Sequence, residues 1–80
     1  MRLNYRIYLK GNNIVKNKIK EYREQIGMSR KELSEKSGIS VNYLAVIEEQ
    51  HPNMKINTFG NIADALGVNV QNWGKLIDND

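Results

Sequence analysis

The sequence predicts an all-α fold, five short helices behind a single N-terminal strand. Apolar residues recur three or four apart from Val15 onward, the spacing that puts them on one side of a helix. Serine starts and glycine stops divide this pattern into short segments. Only the first ten residues depart from it, alternating apolar and polar with period two.

Eighty residues with 40% hydrophobic content suffice for one core. At that size a core is only marginally self-sufficient, so association with a second subunit would add stability. The chain has no cysteine, which excludes disulfides and thiolate metal sites, and no metal or cofactor is expected. No apolar run reaches the length of a membrane span or resembles a secretion signal, so a cytoplasmic location is expected. Charge is unevenly spread. Residues 1–36 hold ten Lys/Arg against four Asp/Glu, a net +6, whereas residues 37–80 hold two against five, a net −3. A basic half of this kind suits a phosphate-bearing partner, and is also common on ordinary protein surfaces.

In the first segment Leu3, Tyr5, Ile7 and Leu9 alternate with polar residues from Arg2 to Lys10, and Gly11-Asn12-Asn13 ends the run. Val15, Ile19, Tyr22 and Ile26 then share one face of a first helix, which Gly27 closes. Ser29-Arg30-Lys31-Glu32 reads as a capping box opening a second helix. Gly38 ends that helix, and Ser40 caps a third over residues 41–48. Two short helices joined by a tight glycine turn have the layout of a helix-turn-helix. His51-Pro52-Asn53 stops the third helix, since a proline biases the residue before it toward extended backbone, and His51 reads as a solvated turn residue. Ile56, Phe59, Ile62, Ala63 and Leu66 form the face of a fourth helix, weakened internally by Gly60 and ended by Gly67. A last helix from about Asn69 is expected to bury Val70, Trp73 and Leu76 or Ile77. The expected organisation is an arm over residues 1–13, a helical domain over 14–77 and a frayed tail over 78–80.

Residues 14–77 resemble the lambda-repressor-like helix-turn-helix domains, which include phage repressors and the antitoxins of toxin–antitoxin pairs. The likeness rests on Ile19 with Tyr22-Arg23, Gly27-Met28-Ser29, Glu32-Leu33-Ser34, Gly38-Ile39-Ser40, Tyr43-Leu44, Ile47-Glu48 and Ile62-Ala63-Asp64-Ala65-Leu66-Gly67-Val68, in that order and spacing. It implies a five-helix orthogonal bundle whose second and third helices form the DNA-reading unit. It also implies phosphate contacts from Arg30 at the start of the second helix and from Asn53 and Lys55 in the loop after the third. Ser40 and Tyr43, at the start of the third helix, complete that candidate set. A structural ion pair between Arg23 and Glu48 is implied as well.

With Leu44 and Ile47 facing inward, about 100° per residue places Asn42, Ala45, Val46 and Glu49 on the far side of the third helix, with Val41 at its boundary. Val41, Asn42, Ala45 and Val46 are thus the candidate base readers. A carboxamide at Asn42 matches the donor and acceptor edge of adenine, and valine methyls suit thymine, although partial burial explains the valines equally well. Three positions depart from the family pattern: Val46 stands where a basic or amide side chain is usual, Gln50 replaces a glycine and Met54 a proline. Glu49 adds negative charge close to the expected groove. Lys16, Lys18 and Lys20 read as solvated surface cations.

A lone strand over Arg2–Lys10 is not stable unassisted. Three arrangements are open: disorder, packing on its own domain, or pairing with the same strand of a second subunit. In the last, Leu3, Tyr5, Ile7 and Leu9 form a dimerisation ribbon that spaces two reading helices on a palindromic site. The expected function is a homodimeric regulator of double-stranded DNA, a repressor, of phage or other mobile-element type. The alternative is a protein-interaction module such as an antitoxin, docking by strand addition to a partner protein. An enzyme is not expected, because the single histidine, the scattered carboxylates and the glycines form no catalytic or phosphate-binding motif.

Overall fold

The computed structural model describes residues 16–78. The alternating arm, with Leu3, Tyr5, Ile7 and Leu9, lies outside the described residues. The elements are β1 (Lys16–Asn17), α1 (Ile19–Gln25), α2 (Arg30–Ser37), α3 (Val41–Gln50), α4 (Ile56–Ala65), a 3-10 helix (Val70–Leu76) and β2 (Ile77–Asp78). The all-α class and the expected five helices are present, the last wound as a 3-10 helix. The two strands form an antiparallel ribbon that pairs Lys16 with Asp78 and Asn17 with Ile77. Asp78, expected to fray, is therefore a strand residue.

The first helix begins later than its apolar spacing suggests. Lys16 and Asn17 are extended, and α1 starts at Ile19. The cause is the buried Asn17 side chain, whose Oδ1 accepts from the Ile19 N–H at 3.1 Å while its Nδ2 donates to the Ile47 carbonyl at 2.8 Å. An amide that bonds the backbone two residues onward competes with helix at its own position. Ile26, expected on the inward face, caps the helix and is 45% exposed. After it the Gly27 N–H bonds the Glu24 carbonyl and the Met28 N–H bonds the Arg23 carbonyl, the double closure made possible by a left-handed glycine.

Local chemistry sets the next two helices. The Ser29 hydroxyl accepts from the Glu32 N–H at 3.0 Å, and the Ser40 hydroxyl accepts from the Tyr43 N–H at 3.1 Å, so each helix opens with one orphan donor satisfied. Gly38 joins them at φ +77°, a conformation costly for any residue with a Cβ. α3 extends two residues beyond the predicted 41–48. It stops at His51, which is left-handed (φ 53°, ψ 52°) rather than extended as its neighbour Pro52 suggests. Two bonds compensate this backbone: the His51 N–H donates to the Ile47 carbonyl, and the His51 ring Nδ1 accepts from the Asn17 N–H at 3.1 Å. His51 is thus a tie between the ribbon and the end of α3, not a solvated turn.

The core takes Ile19 from α1, Leu33 from α2, Leu44 and Ile47 from α3, Phe59, Ile62 and Ala63 from α4, and Leu66, Val68 and Leu76 beyond it. Trp73 lies edge-on to Phe59, with ring centroids 5.0 Å apart, in the T-shaped geometry aromatic quadrupoles favour. Val70, expected in the core, is 65% exposed. It occupies the first turn of the 3-10 helix, outside the apolar cluster that Trp73 and Leu76 reach.

Gly60 offers a test of this packing. It sits inside α4 without a positive φ, and a methyl group there would meet the Trp73 ring at 3.5 Å, ordinary contact distance. Gly60→Ala is expected to stabilise the domain by about 0.5–1 kcal/mol through reduced unfolded-state entropy. Thermal unfolding followed by circular dichroism should show a midpoint a few degrees higher; a lower midpoint would mean that Trp73 cannot accommodate the methyl.

Candidate nucleic-acid interface

α2, the Gly38 turn and α3 form the candidate reading unit. Leu44, Ile47 and Glu48 turn α3's inner side to the protein, which leaves Val41, Asn42, Tyr43, Glu49 and Gln50 exposed. Ala45 and Val46 are half-buried. The four candidate base readers therefore differ in reach: Val41 and Asn42 protrude at the start of the helix, while Ala45 and Val46 lie lower. Among the described residues the Asn42 carboxamide has no hydrogen-bond partner. Asn53 and Lys55 are exposed in the loop after α3, and Ser40 and Tyr43 are exposed at its start, the Ser40 hydroxyl already serving as cap.

Arg30 is placed differently from the expected phosphate contact. Its Nε and Nη2 both donate to Glu48 Oε1, at 3.1 and 3.0 Å, and only about a third of its side chain is exposed. Arg23 completes the arrangement. Its Nε donates to Glu48 Oε2 at 2.8 Å, its Nη2 to Oε1 at 3.1 Å and its Nη1 to the Met28 carbonyl at 2.8 Å. One carboxylate on α3 thus holds guanidinium groups from α1 and from α2. Further out, Glu49 lies 3.6 Å from Lys20 of α1 and 3.9 Å from Arg30.

The electrostatics of Glu48 follow from two opposed effects. Burial alone raises a carboxyl's pKa, but hydrogen bonds and charge from Arg23 and Arg30 outweigh it, and Glu48 is held below its ordinary value. Arg23 is raised in turn, chiefly by its hydrogen bonds to Glu48. Residue types and spacing suggested Arg23 with Glu48 only through the family resemblance. Arg30 as a second partner, the Asn17 anchor and the Lys20–Glu49 contact had no such signal, except that Asn17 stands two residues before the helical spacing resumes, where side-chain caps occur.

A carboxyl with a lowered folded-state pKa contributes stability that is present above its unfolded value, about 4.3, and is lost as the pH falls through the folded value. Glu48→Gln leaves the buried Arg23 with only the exposed Glu24, 4.0 Å away, as counter-charge and is expected to cost about 3 kcal/mol at neutral pH. In denaturant titrations the gap between wild type and variant should narrow as the pH is lowered below about 4. A gap of the same size at pH 7 and pH 3 would show that the charge of Glu48 is not what the fold uses.

Comparison with known proteins adds a family. A helix-turn-helix family model matches residues 19–73, from the first residue of α1 through Trp73. Comparisons with curated proteins and with solved structures return no match. Among the described residues no helix is long and apolar enough to cross a membrane. The family match spans more than half of the chain and covers the capped pair α2 and α3 together with the helices that brace it. The chain belongs to the lambda-repressor-like, Cro-type helix-turn-helix family of DNA-binding regulators.

Proposed function

We propose that the protein is a sequence-specific regulator of transcription, a repressor that binds a palindromic duplex site as a homodimer in the cytoplasm. One observation carries this reading: the first turn of α3 presents an unpartnered carboxamide, Asn42, beside the exposed Val41, while the opposite side of the helix is fixed to the protein. A helix-turn-helix reads base edges with the N-terminal residues of its second helix. Asn42 supplies the paired donor and acceptor that adenine offers in the major groove, and Val41 supplies methyl contact for a neighbouring thymine. Ala45 and Val46 line the same side at lower height and admit close approach of the groove.

Backbone contact falls to Lys55 and Asn53 after α3 and to Ser40 and Tyr43 before it. Arg30, engaged by Glu48, acts on this reading as a positioning residue for the two helices. Two copies joined about a two-fold axis would place two reading helices about one turn of duplex apart, roughly 34–36 Å. Strand pairing through Leu3, Tyr5, Ile7 and Leu9 is the proposed coupler, and a mobile-element origin fits the family.

Selection of bound sequences from a random duplex pool tests the assignment. The wild-type chain should enrich a palindrome, with affinity falling steeply as salt rises. Asn42→Ala should relax one position of each half-site, a loss of about 1–3 kcal/mol in discrimination. Lys55→Ala should instead weaken binding to all sequences alike and reduce the salt slope by about one unit. Equal binding to every duplex, indifferent to salt, would refute the proposal.

A further inference from the structure

Glu49 shares the exposed side of α3 with Asn42, two turns further along the helix. Its carboxylate stands between two other helices, 3.6 Å from Lys20 Nζ of α1 and 3.9 Å from Arg30 Nη2 of α2. Stability does not account for it. Exposed ion pairs contribute little, and here 58% of the Glu49 side chain and 42% of Lys20 are in solvent. Arg30, for its part, is already fixed by Glu48. The position is also electrostatically adverse, because the C-terminal turn of a helix carries partial negative charge and favours cations, yet the last turn of α3 contains no basic residue. What Glu49 does at this position is cancel positive charge on the flank of the helix that enters the groove.

We propose that Glu49 restrains sequence-independent affinity for the DNA backbone. Its carboxylate withholds Lys20 from phosphates, offsets the charge of the Arg30 that Glu48 already holds, and adds repulsion of its own. Binding then leans on the base contacts of α3 rather than on charge. Sequence discrimination is a difference of affinities, and it increases when attraction to the wrong duplex is suppressed as well as when attraction to the right one is strengthened. The inference rests on the DNA-reading assignment above.

The experiment compares the full chain and Glu49→Gln on a random-sequence duplex over a salt series, with sequence selection repeated for the variant. Each cation freed for phosphate contact steepens the salt dependence by about 0.9 in the logarithmic slope. Glu49→Gln should therefore bind random duplex about three- to tenfold more tightly at moderate salt, with a steeper slope and an unchanged selected sequence. In a double-mutant cycle Lys20→Gln should remove much of the gain, since the two residues act through one contact. Unchanged or weaker binding by a Glu49→Gln protein of wild-type helicity would overturn the inference while leaving the DNA-reading assignment intact. A selected sequence altered at one C·G position would overturn it too, by making Glu49 a base reader. A wild-type chain indifferent to salt and sequence would overturn both.

Discussion

The orientation of α3 depends on one buried carboxylate. Glu48 is 4% exposed and accepts four hydrogen bonds, two from Arg23 and two from Arg30. Taking Glu48 and Arg23 out of water, with Arg30 only partly so, costs several kcal/mol for each buried ion before their attraction is counted, so the network adds far less to stability than its short distances suggest. Its effect is geometric. Guanidinium groups are planar and accept only a narrow range of approach, and a carboxylate bonded to two of them fixes α3 relative to α1 and to the start of α2 at once. An apolar substitute would fill the volume while leaving the helix free to rotate or slide.

A second anchor lies one residue before the first along α3. The Ile47 carbonyl accepts from both the Asn17 carboxamide and the His51 N–H, and the Asn17 N–H in turn bonds the His51 ring. Asn17 belongs to the ribbon that brings residue 16 beside residue 78. The end of α3 is therefore fastened to the place where the two ends of the described chain meet. With Leu44 and Ile47 fully buried as well, the helix is held along its inner side and exposes its outer side at the first turn, where Val41 and Asn42 stand. Contacts that must match base edges to within a fraction of an ångström require such support.

What the sequence made legible was local. Ser29, Gly38 and Ser40 act on groups within four residues of themselves, so their spacing suffices to place α2, the turn and the start of α3. The core face of α4 was almost as plain, because Phe59, Ile62, Ala63 and Leu66 follow one period, but Ile56, expected on the same face, lies in the first turn and is exposed. The features that escaped are those decided by a distant partner. Asn17 leaves the helical pattern for a carbonyl thirty residues away. His51 ends α3 in a left-handed conformation through that same ribbon, and Arg30 turns from solvent toward a carboxylate eighteen residues on. Val70 shows the converse: the apolar spacing is right, but its turn of helix lies beyond the reach of the core.

The same network has a consequence for how the protein engages DNA. Arg23, Arg30 and Lys20, which stand around the C-terminal half of α3, are all paired with Glu48 or Glu49, so positive charge is concentrated there without being free. On the proposed reading, a single unit whose neighbouring cations are withheld from phosphate gains less from counterion release, and a larger share of its binding free energy has to come from a short stretch of base edges. Joining two such units turns the second contact into an intramolecular one, which multiplies affinity without adding charge. On the proposed reading, the electrostatic restraint around α3 and the dimer are therefore two parts of one arrangement. The carboxylates keep a lone unit from adhering to arbitrary duplex, and pairing restores affinity only where two half-sites stand at the right separation.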